Sequence, residues 1–189
     1  YRPDRVLNKE VIEPIYRQQC EALCPYVDVF LAETMSTIQE AVSAASVASE
    51  FGKPVLVGLT LHDEQRGNLR SGESLSDAIC ELKKLNLEGL LANCSLPERI
   101  TDAMPTIAGS GFTYSGGYAN AFCNVPKDWL LDGDKDTDGK LEVRKDLTPN
   151  RYCQFVIEWV ESGANLVGGC CGTTAEHIKS ITEWLEKKE

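Results

Sequence analysis

The chain has no Cys-x-x-Cys pair and only two histidines, so the usual four-ligand structural zinc site is not in its sequence. It has no apolar run long enough to span a bilayer, which excludes an integral membrane protein built on helices. Basic residues are in the minority, 19 Lys and Arg against 29 Asp and Glu, for a formal charge of −10. Nucleic acid is therefore not an expected partner, because phosphate binding requires a basic surface. No signal peptide is visible, and the chain opens on Tyr1 rather than methionine. No linker or change of composition divides the 189 residues, so residues 1–189 are expected to form one domain with a real core.

What the chain does have is eight cysteines, at 20, 24, 80, 94, 123, 153, 170 and 171. They are scattered through helix- and strand-like segments, unlike a small secreted scaffold. The expected setting is reducing and cytoplasmic, with most of them acting as small buried apolar residues. Cys80 and Cys153, inside amphipathic helices, belong to that kind. Cys20 and Cys24 have helical i, i+4 spacing but no further ligand nearby.

Short apolar runs alternate with capped helices. The expected strands are Val27–Ala32, Val55–Thr60, Gly89–Cys94, Phe112–Tyr118 and Asn165–Gly169. Ser36-x-x-Gln39, Ser95-x-x-Glu98 with Pro97, Thr148-Pro149 and Thr173-x-x-Glu176 read as helix starts. Continuous apolar strands between helices imply a parallel sheet covered by helices. Glu33-Thr34, Thr60-x-His62, Asn93-Cys94, Tyr118-x-Asn120 and Cys170-Cys171 all fall at or just past strand C-termini. That is the face on which barrel enzymes gather their residues. The expected fold is α/β, part of a (β/α)8 TIM barrel rather than an open doubly wound sheet. Five βα units in 189 residues fall short of eight, so these are read as strands 4–8. Open barrel edges would then favour self-association. Between Asn124 and Leu147 the rhythm breaks, and Asp134-x-Asp136-x-Asp138-Gly139 resembles the start of a calcium loop. Lys145 stands where that loop requires glutamate, so a solvated acidic loop is the better reading.

The chemistry concentrates in Gly168-Gly169-Cys170-Cys171-Gly172-Thr173. Adjacent side chains on a regular strand face opposite ways, and the glycines would let the backbone turn so that both sulfurs converge. Cys94, at another strand end, is the best third ligand. Three thiolates leave one position on zinc open for a substrate that is itself a thiol. His62 at a strand end is a possible fourth ligand or a loop residue; His177 is read as a surface or packing residue. A redox pair at Cys170-Cys171 is the rival reading.

At Phe30-Leu31-Ala32-Glu33-Thr34, Ala92-Asn93-Cys94, Tyr118-Ala119-Asn120-Ala121 and Gly168–Thr173 the sequence resembles the homocysteine S-methyltransferase family. The resemblance implies that Cys94, Cys170 and Cys171 bind zinc and that Glu33 holds the amino group of homocysteine. It further implies that Asn93 fixes the substrate or the loop carrying Cys94, and that Thr34 lies at the substrate face. The implied partners are homocysteine and a small methyl donor, and the implied product is methionine. The lack of a long C-terminal extension favours an S-methylmethionine or S-adenosylmethionine donor over betaine. Two departures stand out: the Asp-Gly-Gly segment of the family's early strands is absent, and its Tyr-Pro-Asn is Tyr118-Ala119-Asn120.

Overall fold

The computed structural model describes residues 1–123, 125, 129 and 141–188. The calcium-like run Asp134–Gly139 lies outside them. Five strands, β1 (Phe30–Met35), β2 (Val55–Leu59), β3 (Gly89–Asn93), β4 (Tyr114–Ala119) and β5 (Leu166–Gly169), form one sheet in the order β1-β2-β3-β4-β5. Every neighbouring pair is parallel. Such a strictly sequential parallel order requires each crossover to step one strand in the same direction, as in a barrel wall. Six helices accompany it: α1 (Lys9–Leu23), α2 (Ile38–Ser49), α3 (Leu75–Leu82), α4 (Pro97–Ala108), α5 (Pro149–Glu161) and α6 (Ala175–Glu186).

The two faces of the sheet differ. Val55, Val57, Leu59, Leu90, Ala92 and Ala119 face the helices and belong to the main core with Ile100, Met104, Tyr152, Val156 and Trp159. Small residues on α2, among them Ala41, Ala44, Ala45 and Ala48, let that helix lie close to the strands. The other face carries a small separate cluster of Leu56, Leu91 and Tyr118, flanked by Leu166 and Cys170. That second face holds the polar residues considered below.

The first strand departs from expectation. It begins at Phe30 and continues through Glu33 and Thr34 to Met35. Its pairing with β2 slips between Ala32↔Val57 and Met35↔Leu59, so three steps on β1 oppose two on β2. This is a β-bulge, and Thr34 sits in it with φ +62°. The extra residue returns Met35 to the helix-facing core while Glu33 stays on the other face.

Three expected helix starts move as well. In α2 the capping hydroxyl is Thr37, which accepts from the Glu40 amide, while Ser36 donates to the Glu40 carboxylate. Helix α4 starts after Leu96 with Pro97 in its first turn, leaving Ser95 free to accept from the Leu61 amide and donate to the Asn93 carbonyl. Helix α6 is capped by Thr174 paired with His177 instead of Thr173 with Glu176. Thr148 caps α5 as expected. All eight cysteines are free; Cys20, Cys94 and Cys153 are buried, but Cys80, Cys123 and Cys171 are exposed. Cys80 thus lies on the solvent side of α3 and not in the core.

Candidate metal centre and substrate face

Cys94, Cys170 and Cys171 come together although 76 residues separate the first from the second. Their sulfurs all lie within 4.8 Å of one another, the one such group found among the described residues. The Cys94 and Cys171 sulfurs are 3.7 Å apart, and those of Cys170 and Cys171 3.8 Å. Sulfurs held about 2.3 Å from one tetrahedral zinc ion lie about 3.8 Å apart, so the donor set matches zinc in both chemistry and spacing.

Local backbone geometry makes this convergence possible. Cys94 follows β3 with φ +46°, and its amide donates to the Tyr118 carbonyl at 3.0 Å. Its own carbonyl accepts from Asn120 Nδ2 at 2.8 Å and from the Tyr1 hydroxyl. Left-handed backbone is costly for a residue with a side chain, and these bonds hold Cys94 there. On the other side, Cys170 donates its amide to Ala119, and Ala121 donates to the Cys171 carbonyl. Of the three glycines expected to provide the turn, only Gly172 is left-handed, with φ +78°. Gly169 is required for space: a Cβ there would meet Thr173 Oγ1 at 2.4 Å. The packed sulfurs share protons unequally. Hydrogen bonding from Cys94 lowers the Cys170 thiol to about 6 in spite of burial. Cys94 is pushed up by the same bond and by burial, and Cys171 is raised mainly by burial.

Beside the sulfurs, Asn93 and Thr34 form a reciprocal pair. The Thr34 amide donates to Asn93 Oδ1, and Asn93 Nδ2 donates to Thr34 Oγ1, both at 3.0 Å. Asn93 is fully buried, and it reaches from β3 to β1 across β2 at Gly58. A Cβ on Gly58 would meet Asn93 Oδ1 at 2.7 Å and the Tyr118 hydroxyl at 3.0 Å. Glu33, next to Thr34, is exposed on the same face. The six expected site residues thus gather at the C-terminal edge of the sheet.

Other expected groups take different places. His62 Nδ1 accepts from the Glu64 and Gln65 amides, shaping the loop after β2, and is not part of the metal group. His177 is buried; one ring nitrogen faces Thr174 and the other the Leu147 carbonyl. Three residues near the centre went unread in the sequence. The Arg70 guanidinium lies 4.1 Å over the Tyr1 ring and pairs with Asp63 at 3.1 Å, with only 7% of its side chain exposed. Nothing in local spacing links positions 1, 63 and 70.

The structure is thus a parallel α/β sheet with three thiols that could hold a metal ion at its C-terminal edge. Residues 1–185 match the family described as homocysteine S-methyltransferase, and the chain belongs to that family. It is 26% identical over 175 residues to homocysteine S-methyltransferase 2 of Saccharomyces cerevisiae, covering 85% of this chain and 48% of that protein. It is 26% identical over 194 residues to a selenocysteine methyltransferase of Astragalus bisulcatus, covering 95% of this chain and 51% of that one. The chain therefore spans about half the length of these curated relatives. The homocysteine methyltransferase MmuM of Escherichia coli superimposes in its metallated form with TM-score 0.73 at 22% identity, covering 97% of this chain and 55% of that one. Its oxidised form gives TM-score 0.75 at 22% identity with the same coverage. The sheet thus resembles part of a TIM-barrel domain.

Proposed function

We propose that this site transfers a methyl group from a sulfonium or ammonium donor to the sulfur of homocysteine, forming methionine. S-methylmethionine and S-adenosylmethionine are the sulfonium candidates for the donor, and betaine the ammonium one. The observation that carries the reading is the spacing of the Cys94, Cys170 and Cys171 sulfurs at the C-terminal edge of the sheet. A zinc ion held by these three residues would leave one position open and keep a substrate thiol deprotonated at neutral pH. Glu33, exposed beside the sulfurs, would pair with the ammonium of the amino acid. Asn93 would hold the Glu33-Thr34 backbone in place, and Thr34 would line the substrate face. The new bond joins the homocysteine sulfur to the methyl carbon. The donor's bond from sulfur or nitrogen to the methyl carbon breaks with its electron pair retained on the heteroatom, leaving a neutral thioether from a sulfonium or a tertiary amine from an ammonium, and the thiol proton leaves to solvent. With no proton to move at the methyl carbon, catalysis rests mainly on alignment of the reacting atoms.

The five strands take the places of strands 4–8 of an eight-stranded barrel in this reading, with residues 1–189 as one unit. Their sequential parallel order supports it. Eight free cysteines support a reducing, cytoplasmic setting. The redox alternative draws support from the exposure of Cys171 and its 3.8 Å approach to Cys170.

Zinc stoichiometry separates the two. The chain should bind one zinc, and Cys94→Ser or Cys171→Ser should leave far less than one. Full zinc in either variant overturns the three-thiol centre. Methionine formation from homocysteine, assayed with S-methylmethionine, S-adenosylmethionine and betaine, then identifies the donor class.

A further inference from the structure

The Tyr118 hydroxyl stands out among the buried polar groups. The residue is 9% exposed, and its oxygen is sealed from solvent with no partner at ordinary hydrogen-bond geometry. A buried hydroxyl left without a well-formed hydrogen bond is costly, so its retention calls for a reason. Its ring packs on Leu56 of β2 and Leu91 of β3 and so crosses two strands from its own place on β4. Gly58 leaves room for the oxygen at the far end. In the register of β1 with β2, Glu33 falls beside Gly58, between Ala32↔Val57 and Met35↔Leu59, so the hydroxyl ends close to the Glu33 carboxylate. A neutral, rigid donor therefore points at a carboxylate on an exposed strand edge.

We infer that Tyr118 is a positioning residue for Glu33: its hydroxyl fixes one carboxylate oxygen so that the other meets the ammonium of an amino-acid thiol. This rests on the proposed function and specifies how that site selects amino-acid substrates. A carboxylate on an exposed edge samples several rotamers, and a single directed donor removes most of that freedom. Tyr118 is suited to the task because its backbone carbonyl holds the Cys94 amide, which fixes the hydroxyl relative to the sulfurs.

Three thiols test this on the cobalt-loaded chain, where thiol binding is read from the sulfur-to-cobalt charge-transfer band. Homocysteine carries both head groups, 3-aminopropane-1-thiol only the amine, and 4-mercaptobutanoate only the carboxylate. Tyr118→Phe should weaken homocysteine and 3-aminopropane-1-thiol about tenfold, the worth of a hydrogen bond to a charged group, and leave 4-mercaptobutanoate unchanged. Glu33→Gln should show the same pattern, and adding Tyr118→Phe to it should bring no further loss. Equal weakening of all three thiols, no weakening of any, or additive losses in the double variant would each overturn the inference. The proposed function fails separately: there the wild-type chain binds no cobalt at the trio, or none of the thiols shifts its band, and the inference falls with it.

Discussion

Asn93 is the residue on which most of the site geometry converges. Its amide makes two hydrogen bonds to Thr34 and keeps that residue in left-handed backbone inside the bulge. Asn93→Ala removes both bonds and leaves the Thr34 amide without its acceptor. The expected cost is about 1–3 kcal/mol, measured as a lower denaturation midpoint in urea at unchanged m-value. The three sulfurs were legible in the sequence because a double cysteine between glycines, with Asn-Cys upstream, states its purpose locally. The Asn93–Thr34 pair, the reach of Tyr118 toward Glu33 and the Arg70 stack on Tyr1 were not. Each joins positions far apart in sequence, and the first two depend on the β1 bulge or on Gly58, which only the sheet reveals. The glycines beside the cysteines were half understood: Gly172 turns the chain, whereas Gly169 only makes space.

Among the elements, β2, β3 and β5 were placed to within a residue or so, since each is a short apolar run bounded by helix signals. Strand β1 was misplaced because the apolar residues Val27–Ala32 attract the assignment while the paired segment runs on through polar Glu33 and Thr34. Two of the helix caps, α2 and α6, shifted by one residue for a plain reason: Ser36-Thr37 and Thr173-Thr174 offer adjacent hydroxyls, and the sequence does not rank them. Strands β4 and β5 approach closely at Gly116. A Cβ on Gly116 would lie 1.8 Å from the Leu166 carbonyl oxygen, a backbone atom that cannot swing aside. Gly116→Ala should therefore force the strands apart at a cost of about 3 kcal/mol or more. Because β5 delivers Cys170, that variant should also bind zinc more weakly, which competition with a chromophoric chelator would show.

At the scale of the whole molecule, the described chain leaves apolar surface uncovered. Val11, Ile15 and Leu23 on α1 and Val29 and Leu31 at the edge of the sheet are all exposed. Beside them Tyr16, Cys20, Leu31 and Met35 line a cleft of about 290 Å³. Sedimentation should show association that grows with concentration, and Leu31→Lys at the sheet edge should reduce it. An unchanged sedimentation coefficient over a hundredfold range of concentration would contradict this. A second whole-molecule prediction concerns alkali. Burial raises the phenols of Tyr16, to about 12, and of Tyr152. Their folded values lie above the unfolded value of about 10, so the unfolded chain gives up these protons first as the pH rises. Stability should hold below about pH 10 and fall above it, read as melting temperature from pH 8 to 12. Tyr152→Phe should flatten that fall.

The amide bridge passing over Gly58 has one more consequence. It ties the residue before Cys94 to the residue after Glu33, so the three-thiol group and the carboxylate proposed to meet the ammonium share a single hinge pin. Displacing that pin by one methyl at position 58 would disturb both ends together, whereas a change at either end alone would leave the other's anchor in place.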